Sequence, residues 1–376
     1  MKKIQMVDLK SQYDKIKPQI DEAILNVVES TAFINGPDVK DFQTSLEKYL
    51  DVKHVIPCAN GTDALQIAMM ALDLQPGDEV ITSDFTFAAT VEVIALLKLT
   101  PVLVDVHPDT FNINIDAIKK AITSKTKAIV PVYLFGQCAD MESILTLAKE
   151  YNLYVIEDNA QAIGADYIFS DGTKKKAGTM GTIGTTSFFP SKNLGCYGDG
   201  GAIFTNDDVL AQKIRSIANH GMAQRYYYDR LGVNSRLDSI QAAILNVKLP
   251  LLDSYCETRR KVATFYNNAF ANHPNIIIPT TSDFSTHVFH QYTLRIINSD
   301  RNALHQYLLE HQIPNAIYYP VPLHSQKAYG NSHYKEDDFK VTNELVETVI
   351  SLAMHTEFEE DQLQYITQTV LNFFNK

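Results

Sequence analysis

Short apolar segments alternate with helical segments between residues 50 and 205 of this chain. Several apolar segments lack the polar–apolar alternation of a half-exposed strand, which predicts strands buried on both faces. The predicted strands are His54–Pro57, Glu79–Ile81, Pro101–Val104, Ala128–Val132, Tyr154–Glu157, Thr185–Phe188 and Ala202–Phe204. The predicted helices between them include Ala64–Leu72, Thr90–Leu97 and Met141–Tyr151. This order predicts an α/β fold with a mostly parallel central sheet, in which ligands bind at the carboxyl ends of the strands.

The pattern changes after a long helix that is predicted over Ser235–Lys248, just before Pro250. The elements predicted beyond it are helices at Tyr255–Ala271, Arg301–His311 and Glu344–Leu352, and strands at Ile276–Ile278 and Val288–Ile297. They predict a smaller C-terminal α+β domain. Because the chain is too long for one ordinary core, we expect a large domain over residues 1–250 and a small domain over 251–376.

Composition and charge exclude several classes of function. The 376 residues carry a net charge of −11, and the basic run Lys174–Lys176 adjoins a turn, so nucleic-acid binding is not expected. The amino terminus lacks the apolar stretch of a signal peptide, and no apolar run is long enough to span a membrane. The four cysteines are far apart, which argues against a metal site and against disulfides. We therefore expect a cytoplasmic protein without a bound metal.

Lys192 lies in the most informative segment of the chain, Ser187-Phe-Phe-Pro-Ser-Lys-Asn-Leu-Gly195, which a glycine-rich run follows. Two phenylalanines and a proline precede the lysine, which favours a buried position over a surface lysine in a turn. Burial keeps a lysine amine neutral, as a Schiff base with pyridoxal phosphate requires. The segment therefore predicts a lysine that holds this cofactor and acts as a general base, with Ser187 beside its phosphate.

A carboxylate, Asp158, ends one of the predicted strands upstream of Lys192. A carboxylate that faces a pyridine nitrogen keeps it protonated, so that the ring withdraws electrons from a carbanion on the substrate. Gln161, three positions further on, is placed to bond the ring hydroxyl. An Asp-x-x-Gln sequence at the end of a strand is common, so these two residues indicate a cofactor site only in combination with Lys192.

Two further segments follow predicted strands. In Cys58–Ala64, Gly61 allows a ligand to approach the backbone, and Thr62 offers a hydroxyl and an N–H at the start of a helix, which suits a phosphate. A plain N-cap at Thr62 or Asp63 explains this segment equally well. Phe87 either stacks on the pyridine ring or fills the core.

With these motifs in this order, the chain resembles the DegT/DnrJ/EryC1/StrS family of sugar aminotransferases. The likeness runs from Met6–Leu9 to Pro320–His324, and Ser187–Gly201 is its most specific part. The resemblance implies the PLP-dependent transferase fold type I, which is the fold of aspartate aminotransferase, and an obligate homodimer with shared active sites. Some relatives are dehydratases with histidine in place of the lysine, so Lys192 favours an aminotransferase.

The resemblance also assigns individual positions. Lys192 matches the Schiff-base lysine, Asp158 the partner of the ring nitrogen, and Gln161 the partner of the ring hydroxyl. The other matches are the phosphate-binding positions Gly61, Thr62 and Ser187, the stacking position Phe87, and Asn234, which reaches the phosphate of the neighbouring subunit.

Within the family, the chain resembles aminotransferases that act on UDP-2-acetamido-2-deoxy-3-oxo-glucuronate for surface polysaccharides such as lipopolysaccharide O-antigen. The segments that carry this likeness are Cys58–Leu65, Tyr133–Asp140, Phe188–Phe204 and Gly232–Ala243. It implies a ping-pong reaction in which L-glutamate is the amino donor. It also places Arg236 of one subunit beside the sugar carboxylate in the other subunit's site, with Tyr319 as a further substrate contact. A bidentate arginine suits a uronate, and the alternative is that Arg236 caps or pairs on the helix it opens.

Two positions depart from the relatives. Tyr318 stands where they often have histidine, and Asn159 where they often have alanine; both positions border the expected site. Two other functions stay open. One is amination of a neutral 3- or 4-keto-6-deoxy sugar linked to dTDP or UDP. The other is a PLP-binding regulatory homologue without catalysis, against which Lys192, Asp158 and Gln161 argue.

Overall fold

The computed structural model describes residues 2–330 and 334–375. Its α-helices are α1 Leu9–Ser30, α2 Pro37–Leu50, α3 Gly61–Ala71, α4 Ala89–Leu96, α5 Ile115–Ala121, α6 Met141–Tyr151, α7 Asp208–Ala218, α8 Ser239–Lys248, α9 Leu252–Phe270, α10 Arg301–Glu310, α11 Lys340–Thr348 and α12 Glu360–Phe374. Its strands are β1 His54–Cys58, β2 Glu79–Ser83, β3 Thr100–Val104, β4 Thr126–Val130, β5 Tyr154–Asp158, β6 Asp166–Ile168, β7 Lys174–Lys176, β8 Ile183–Ser187, β9 Gly201–Thr205, β10 Met222–Gln224, β11 Tyr227–Tyr228, β12 Ile276–Ile277, β13 Tyr292–Ile296, β14 Asn315–Ala316 and β15 Val349–Leu352.

The seven strands expected between residues 50 and 205 pair in one sheet, in the order β1-β9-β8-β5-β4-β2-β3. All neighbours are parallel except β9, which runs antiparallel to β1 and β8. Successive residues alternate between two buried cores: Val80 packs in one and Ile81 in the other. Both faces are therefore covered, which explains the apolar runs without alternation. The predicted α/β fold with a mostly parallel sheet is confirmed.

The topology brings the predicted motifs to one edge of this sheet. Because β1, β2, β5 and β8 run in the same direction, their carboxyl ends meet at that edge. Asp158 ends β5 and Ser187 ends β8, while Gly61 begins α3 directly after β1. The expectation that ligands gather there follows from this arrangement.

A second sheet lies in the C-terminal part of the chain. Its four strands are antiparallel, in the order β12-β13-β15-β14. Leu294 and Ile350 from this sheet share a core with Tyr266 of α9 and Ile366 of α12, and Ile4 from the amino terminus packs there too. The predicted smaller α+β unit is present, and a domain boundary at residue 250 stays a prediction.

One predicted helix was too long at its amino end. The helix expected over Ser235–Lys248 begins at Ser239, because the residues before it are extended. Asp238 bridges to Ile34, and the Ser239 N–H donates to the carbonyl of Phe33 at 3.0 Å. Arg236 therefore lies on an extended segment and not on a helix.

Two elements of the C-terminal part also differ from the prediction. The helix expected over Glu344–Leu352 ends at Thr348, and Val349–Leu352 forms β15, which lies between β13 and β14. The strand expected from Val288 begins only at Tyr292, because the Val288 N–H bonds the carbonyl of Gly136 at 2.8 Å and draws this segment towards the main sheet.

Within residues 2–330 and 334–375, no helix combines the length and the apolar character that crossing a bilayer demands. The four cysteines are buried and carry free thiols. Burial raises the pKa of the Cys58 and Cys138 thiols, so both stay protonated.

Glu157 connects β5 to the turn that leads into β8. Its buried carboxylate accepts hydrogen bonds from the Tyr133 hydroxyl at 2.5 Å and from the N–H groups of Gly178 at 2.8 Å, Met180 at 2.6 Å and Gly181. Burial raises the pKa of this carboxyl group, and the four donors oppose the rise. The carboxylate thus serves the fold, whereas its neighbour Asp158 points to the opposite face of the strand.

We expect Glu157→Gln to lower the free energy of unfolding by about 2–4 kcal/mol. The amide nitrogen would face buried N–H or O–H groups, and it cannot accept hydrogen bonds from them. Urea denaturation followed by circular dichroism measures this. Glu257→Gln, in an exposed ion pair with Lys261, is the matched control and should change stability little. Equal midpoints for Glu157→Gln and wild type would contradict this account.

Candidate active site

A cavity of about 700 Å³ lies at the carboxyl edge of the main sheet. Its volume is in the range of small-molecule and cofactor sites. Eight of the ten predicted site residues line it: Gly61, Thr62, Phe87, Asp158, Gln161, Ser187, Lys192 and Tyr319. The other two, Asn234 and Arg236, lie outside the cavity of their own chain.

Lys192 presents its amine to this cavity without a fixed partner. No side chain in the described part of the protein forms a hydrogen bond or an ion pair with it. Burial lowers the pKa of the Lys192 amine to about 8, although the carboxylate of Asp158 acts in the opposite direction. About a tenth of such amines are neutral at pH 7, many times more than for an ordinary lysine.

Asp158 is held by neighbours other than the lysine. The Thr90 hydroxyl donates to its Oδ2 at 2.7 Å, and the Ala160 N–H donates to its Oδ1 at 3.2 Å. Burial raises the pKa of this carboxyl group, and both hydrogen bonds oppose the rise. Thr90, near the start of α4, was not predicted as a site residue, since nothing in its local sequence shows that it faces β5.

Gln161 links the cavity floor to the C-terminal part of the chain. Its Oε1 accepts a hydrogen bond from the Phe135 N–H at 2.7 Å, which fixes the direction of the amide. Its Nε2 donates to the hydroxyl of Tyr319 at 3.4 Å. Burial raises the pKa of the Tyr319 hydroxyl, so this phenol stays protonated.

The start of α3 forms a cradle that fits a phosphate. Asn60 is the N-cap, and its side chain accepts from the Asp63 N–H at 2.8 Å, so the alternative of a cap at Thr62 or Asp63 is wrong. A Cβ at Gly61 would lie 2.7 Å from the Cβ of Ser187, so only glycine permits this close approach. The first N–H groups of the helix and the hydroxyls of Thr62 and Ser187 thereby line one corner of the cavity.

Phe87 forms part of the cavity wall, and its side chain is 58% exposed. The alternative of an ordinary core phenylalanine is therefore wrong. Its ring centroid lies 6.3 Å from that of Tyr319. An exposed aromatic face on a cavity wall suits stacking against a planar ring.

The two departures from the relatives differ in their position. Asn159 is buried, does not line the cavity and donates from Nδ2 to the carbonyl of Ala177 at 2.9 Å. The expectation that Asn159 borders the site was wrong, because its side chain points into the fold. Tyr318 does line the cavity.

Arg236 is half-buried, and within residues 2–330 and 334–375 its guanidinium forms no hydrogen bond and no ion pair. Because α8 begins only at Ser239, the alternative in which Arg236 caps or pairs on its own helix is wrong. The preceding Ser235 accepts from the Ala59 N–H at 3.0 Å, which fixes this segment beside the start of α3.

Lys248, which was not predicted as a site residue, supports the loop after Lys192. Its buried ammonium donates to the carbonyl of Gly195 at 2.5 Å and lies 5.2 Å from the ring centre of Tyr197. Burial lowers the pKa of the Lys248 amine to about 8. The available signal was a lone lysine within an apolar helical stretch.

The sequence pattern of the DegT/DnrJ/EryC1/StrS aminotransferase family matches residues 14–371. The chain belongs to this family. It is a PLP-dependent nucleotide-sugar aminotransferase, and the non-catalytic alternative is set aside.

Three relatives show the range of functions named within the family, and two of them name different sugars. A pleiotropic regulatory protein of Geobacillus stearothermophilus is 46% identical over 99% of this chain and 98% of its own length. The UDP-2-acetamido-2-deoxy-3-oxo-D-glucuronate aminotransferase of Pseudomonas aeruginosa is 44% identical over 98% of this chain and 100% of its own. The dTDP-3-amino-3,6-dideoxy-alpha-D-galactopyranose transaminase of Aneurinibacillus thermoaerophilus is 40% identical, with 98% of each chain covered. Identity alone therefore does not settle the sugar.

Two solved structures share the fold. DesV of S. venezuelae, in complex with a ketimine intermediate, superposes with a TM-score of 0.95 at 34% identity and covers both chains fully. NtdA from Bacillus subtilis, with bound pyridoxamine phosphate, has a TM-score of 0.90 at 29% identity and covers 100% of this chain and 86% of its own. The fold type I assignment and the PLP cofactor are thereby confirmed.

The lowered pKa of Lys192 predicts how the cofactor-free enzyme takes up pyridoxal phosphate. Covalent attachment needs the neutral amine, so its rate should rise with pH and level off above about pH 8, the pKa of the amine. Stopped-flow absorbance at a series of pH values measures this rate. Pyridoxamine phosphate, which forms no bond to the lysine, is the control and should show no such step. A rate that keeps rising towards the ordinary lysine pKa of 10.5 would count against the desolvated amine.

Proposed function

We propose that this enzyme transfers the amino group of L-glutamate to the 3-keto carbon of a UDP-linked 2-acetamido uronic acid. The product would serve a surface polysaccharide such as lipopolysaccharide O-antigen, and a cytoplasmic location stays a prediction. The observation that carries the choice of a uronate is the guanidinium of Arg236, which has no partner in the part of the chain that the structure describes. The relative from Pseudomonas aeruginosa, whose name specifies this sugar, supports it.

Each cavity residue has a distinct task in this proposal. When bound, pyridoxal phosphate supplies an electron sink for the carbon that exchanges its amino group. Lys192 holds the cofactor, and its freed Nζ takes a proton from the α-carbon of glutamate and delivers one to C3 of the sugar. Asp158 keeps the pyridine nitrogen protonated, and Thr90 fixes the carboxylate in that position.

The remaining contacts hold the cofactor in place. Gly61, Thr62 and Ser187 bind its phosphate at the start of α3, Phe87 stacks on the ring, and Gln161 bonds the ring hydroxyl. Tyr319 contacts the substrate. Because most of these groups lie at strand ends or on the first turn of a helix, their geometry is set before any ligand binds.

The charges of the cavity argue for a second subunit. Lys192 is the one cation among the described residues that line it, while Asp63, Asp158 and Asp199 are acidic. His290 also lines the cavity, and burial holds the pKa of its imidazole well below the ordinary 6.5, so it is neutral. A uronate and a diphosphate need cations that this lining lacks.

We propose that a homodimer supplies these cations, with Arg236 and Asn234 of one subunit in the site of the other. Several large apolar side chains beside them in space or in sequence are exposed. Phe33 and Ile34, which bond the segment before α8, are 43% and 50% exposed, and Leu231 is 88% exposed. Exposed apolar side chains of this size are typical of an interface.

The sugar is tested in the reverse direction. We expect UDP-2-acetamido-3-amino-2,3-dideoxy-glucuronate to convert the cofactor absorbance of the purified PLP form, while a dTDP-3-amino-6-deoxyhexose has no effect. Arg236→Ala should lower kcat/KM for the uronate roughly 10- to 150-fold, the value of a charge-assisted contact. Arg260→Ala, on α9 and away from the cavity, is the control. Conversion by the neutral sugar alone would keep the aminotransferase and discard the uronate.

The shared site is tested by mixing two defective variants. Lys192→Ala and Arg236→Ala should each be defective alone, yet a heterodimer of the two has one site with both native residues. Random assembly makes about half of the dimers heterodimers, and each of these has one complete site out of two. Co-expression should therefore restore about a quarter of wild-type activity. If each site took both residues from one chain, no site would be complete, and mixing would restore nothing.

A further inference from the structure

Asp84 and His324 form a buried pair that joins the end of β2 to the C-terminal part of the chain. Asp84 follows β2 and is fully buried. Its Oδ1 accepts the backbone N–H of His324, and its Oδ2 pairs with the imidazole Nδ1, both at 2.7 Å. The Leu323 N–H also donates to the carbonyl of Asp84, at 3.4 Å. Three hydrogen bonds therefore converge on one residue at the sheet edge.

The imidazole of His324 is fixed in direction as well as in position. Its ring stacks on Phe339, with centroids 4.3 Å apart and planes 8° from parallel. The bond to Asp84 places the proton on Nδ1, while Nε2 has no hydrogen-bond partner within residues 2–330 and 334–375 and lies 4.0 Å from an oxygen of the exposed Glu336. Stacking and hydrogen bonding together leave this ring little freedom to turn.

Both ends of the pair adjoin residues that line the cavity, although neither Asp84 nor His324 lines it. Thr86 and Phe87 follow Asp84 closely in sequence, and Tyr318 and Tyr319 precede His324 by a few positions. Across the gap, the ring of Tyr319 lies 6.0 Å from Phe85. The pair thus closes a loop of contacts around one wall of the cavity.

We propose that the Asp84–His324 pair is a positioning device for the nucleotide-sugar part of the site, which holds Tyr318 and Tyr319 opposite Phe87. This inference rests on the proposed function, because it assigns these tyrosines to the sugar. The residues at the start of α3, Asp158 and Lys192 are positioned by segments of the main sheet, whereas Phe87 and Gln161 also contact Tyr319. Glutamate is smaller than a nucleotide sugar and fills less of the cavity, so a displaced wall affects the sugar more.

Three variants separate positioning from stability. His324→Phe keeps a ring that can stack on Phe339 and removes the side-chain donor to Asp84, while the backbone N–H remains. His324→Asn keeps a donor at the place of Nδ1 and removes the imidazole. Asp84→Leu with His324→Phe removes both partners, which avoids an unpaired buried carboxylate and keeps the test available where the single variant fails to fold.

The two half-reactions are followed by cofactor absorbance in single-turnover experiments. With His324→Phe, or with the double variant, we expect KM for the 3-amino nucleotide sugar to rise about tenfold or more, the value of a lost charge-assisted bond. The rate of the glutamate half-reaction should change less than about threefold, and His324→Asn should restore the sugar half-reaction. Equal losses in both half-reactions, or no loss in either, would overturn the inference.

The two proposals fail in different ways. The variants are compared with wild type using whichever 3-amino nucleotide sugar wild type converts, so a neutral sugar tests the pair as well as a uronate does. A wild type that responds to glutamate but to neither sugar would overturn the proposed function and, with it, the sugar role of this wall. A wild type that converts a sugar, together with a His324→Phe variant that matches it, would overturn only the inference about the pair.

Discussion

The proposed chemistry depends on keeping Lys192 close to Asp158 without letting the two form an ion pair. A paired lysine would be stabilised as an ammonium and lost as a nucleophile. In the structure, Asp158 is held by Thr90 and the Ala160 N–H, and Lys192 has no hydrogen-bond or ion-pair partner among residues 2–330 and 334–375. Desolvation therefore dominates, and the pKa of the amine falls to about 8. Thr90 matters because its hydroxyl holds the carboxylate through a hydrogen bond that does not involve the lysine.

The parallel sheet produces this arrangement because its strands end at one edge, where the side chains at the strand ends have different roles. At the end of β5, a one-residue step moves a carboxylate from one face to the other, so Glu157 stabilises the turn before β8 while Asp158 faces the cavity. Nearer the edge of the sheet, acids at strand ends bind the C-terminal part of the chain instead. Asp84 binds His324, and Asp105 accepts the N–H groups of Val341 and Thr342, both at 2.9 Å. An aspartate at the end of a central strand thus faces the cavity, while aspartates after the strands nearer the sheet edge attach the C-terminal part of the chain.

The sequence was most informative where one local rule decides the structure. Strands buried on both faces need continuous apolar runs, so all seven strands of the main sheet were predictable, as was the lysine in its apolar and glycine-rich setting. Errors arose where distant contacts override the local pattern. Val349–Leu352 has the apolar character of a helix end, yet it becomes a strand because β13 and β14 need a partner between them. Thr90 contacts Asp158 across 68 positions of sequence, and no local pattern shows that contact.

One chain supplies the means to hold the cofactor and to move protons, but it lacks the charges to hold an anionic sugar. The acids of the cavity are tolerable while it contains a cationic pyridinium and a lysine, and they would repel a uronate and a diphosphate. In the proposed homodimer, an arginine from the other subunit resolves this conflict, because it enters the site only when the interface forms. In the proposed twofold dimer, Arg236 of each subunit serves the site of the other, so the segment 234–236 would be under constraint from both the interface and the substrate. Substrate choice within such a family can then change through the interface segment while the lysine, the carboxylate and the phosphate cradle stay fixed.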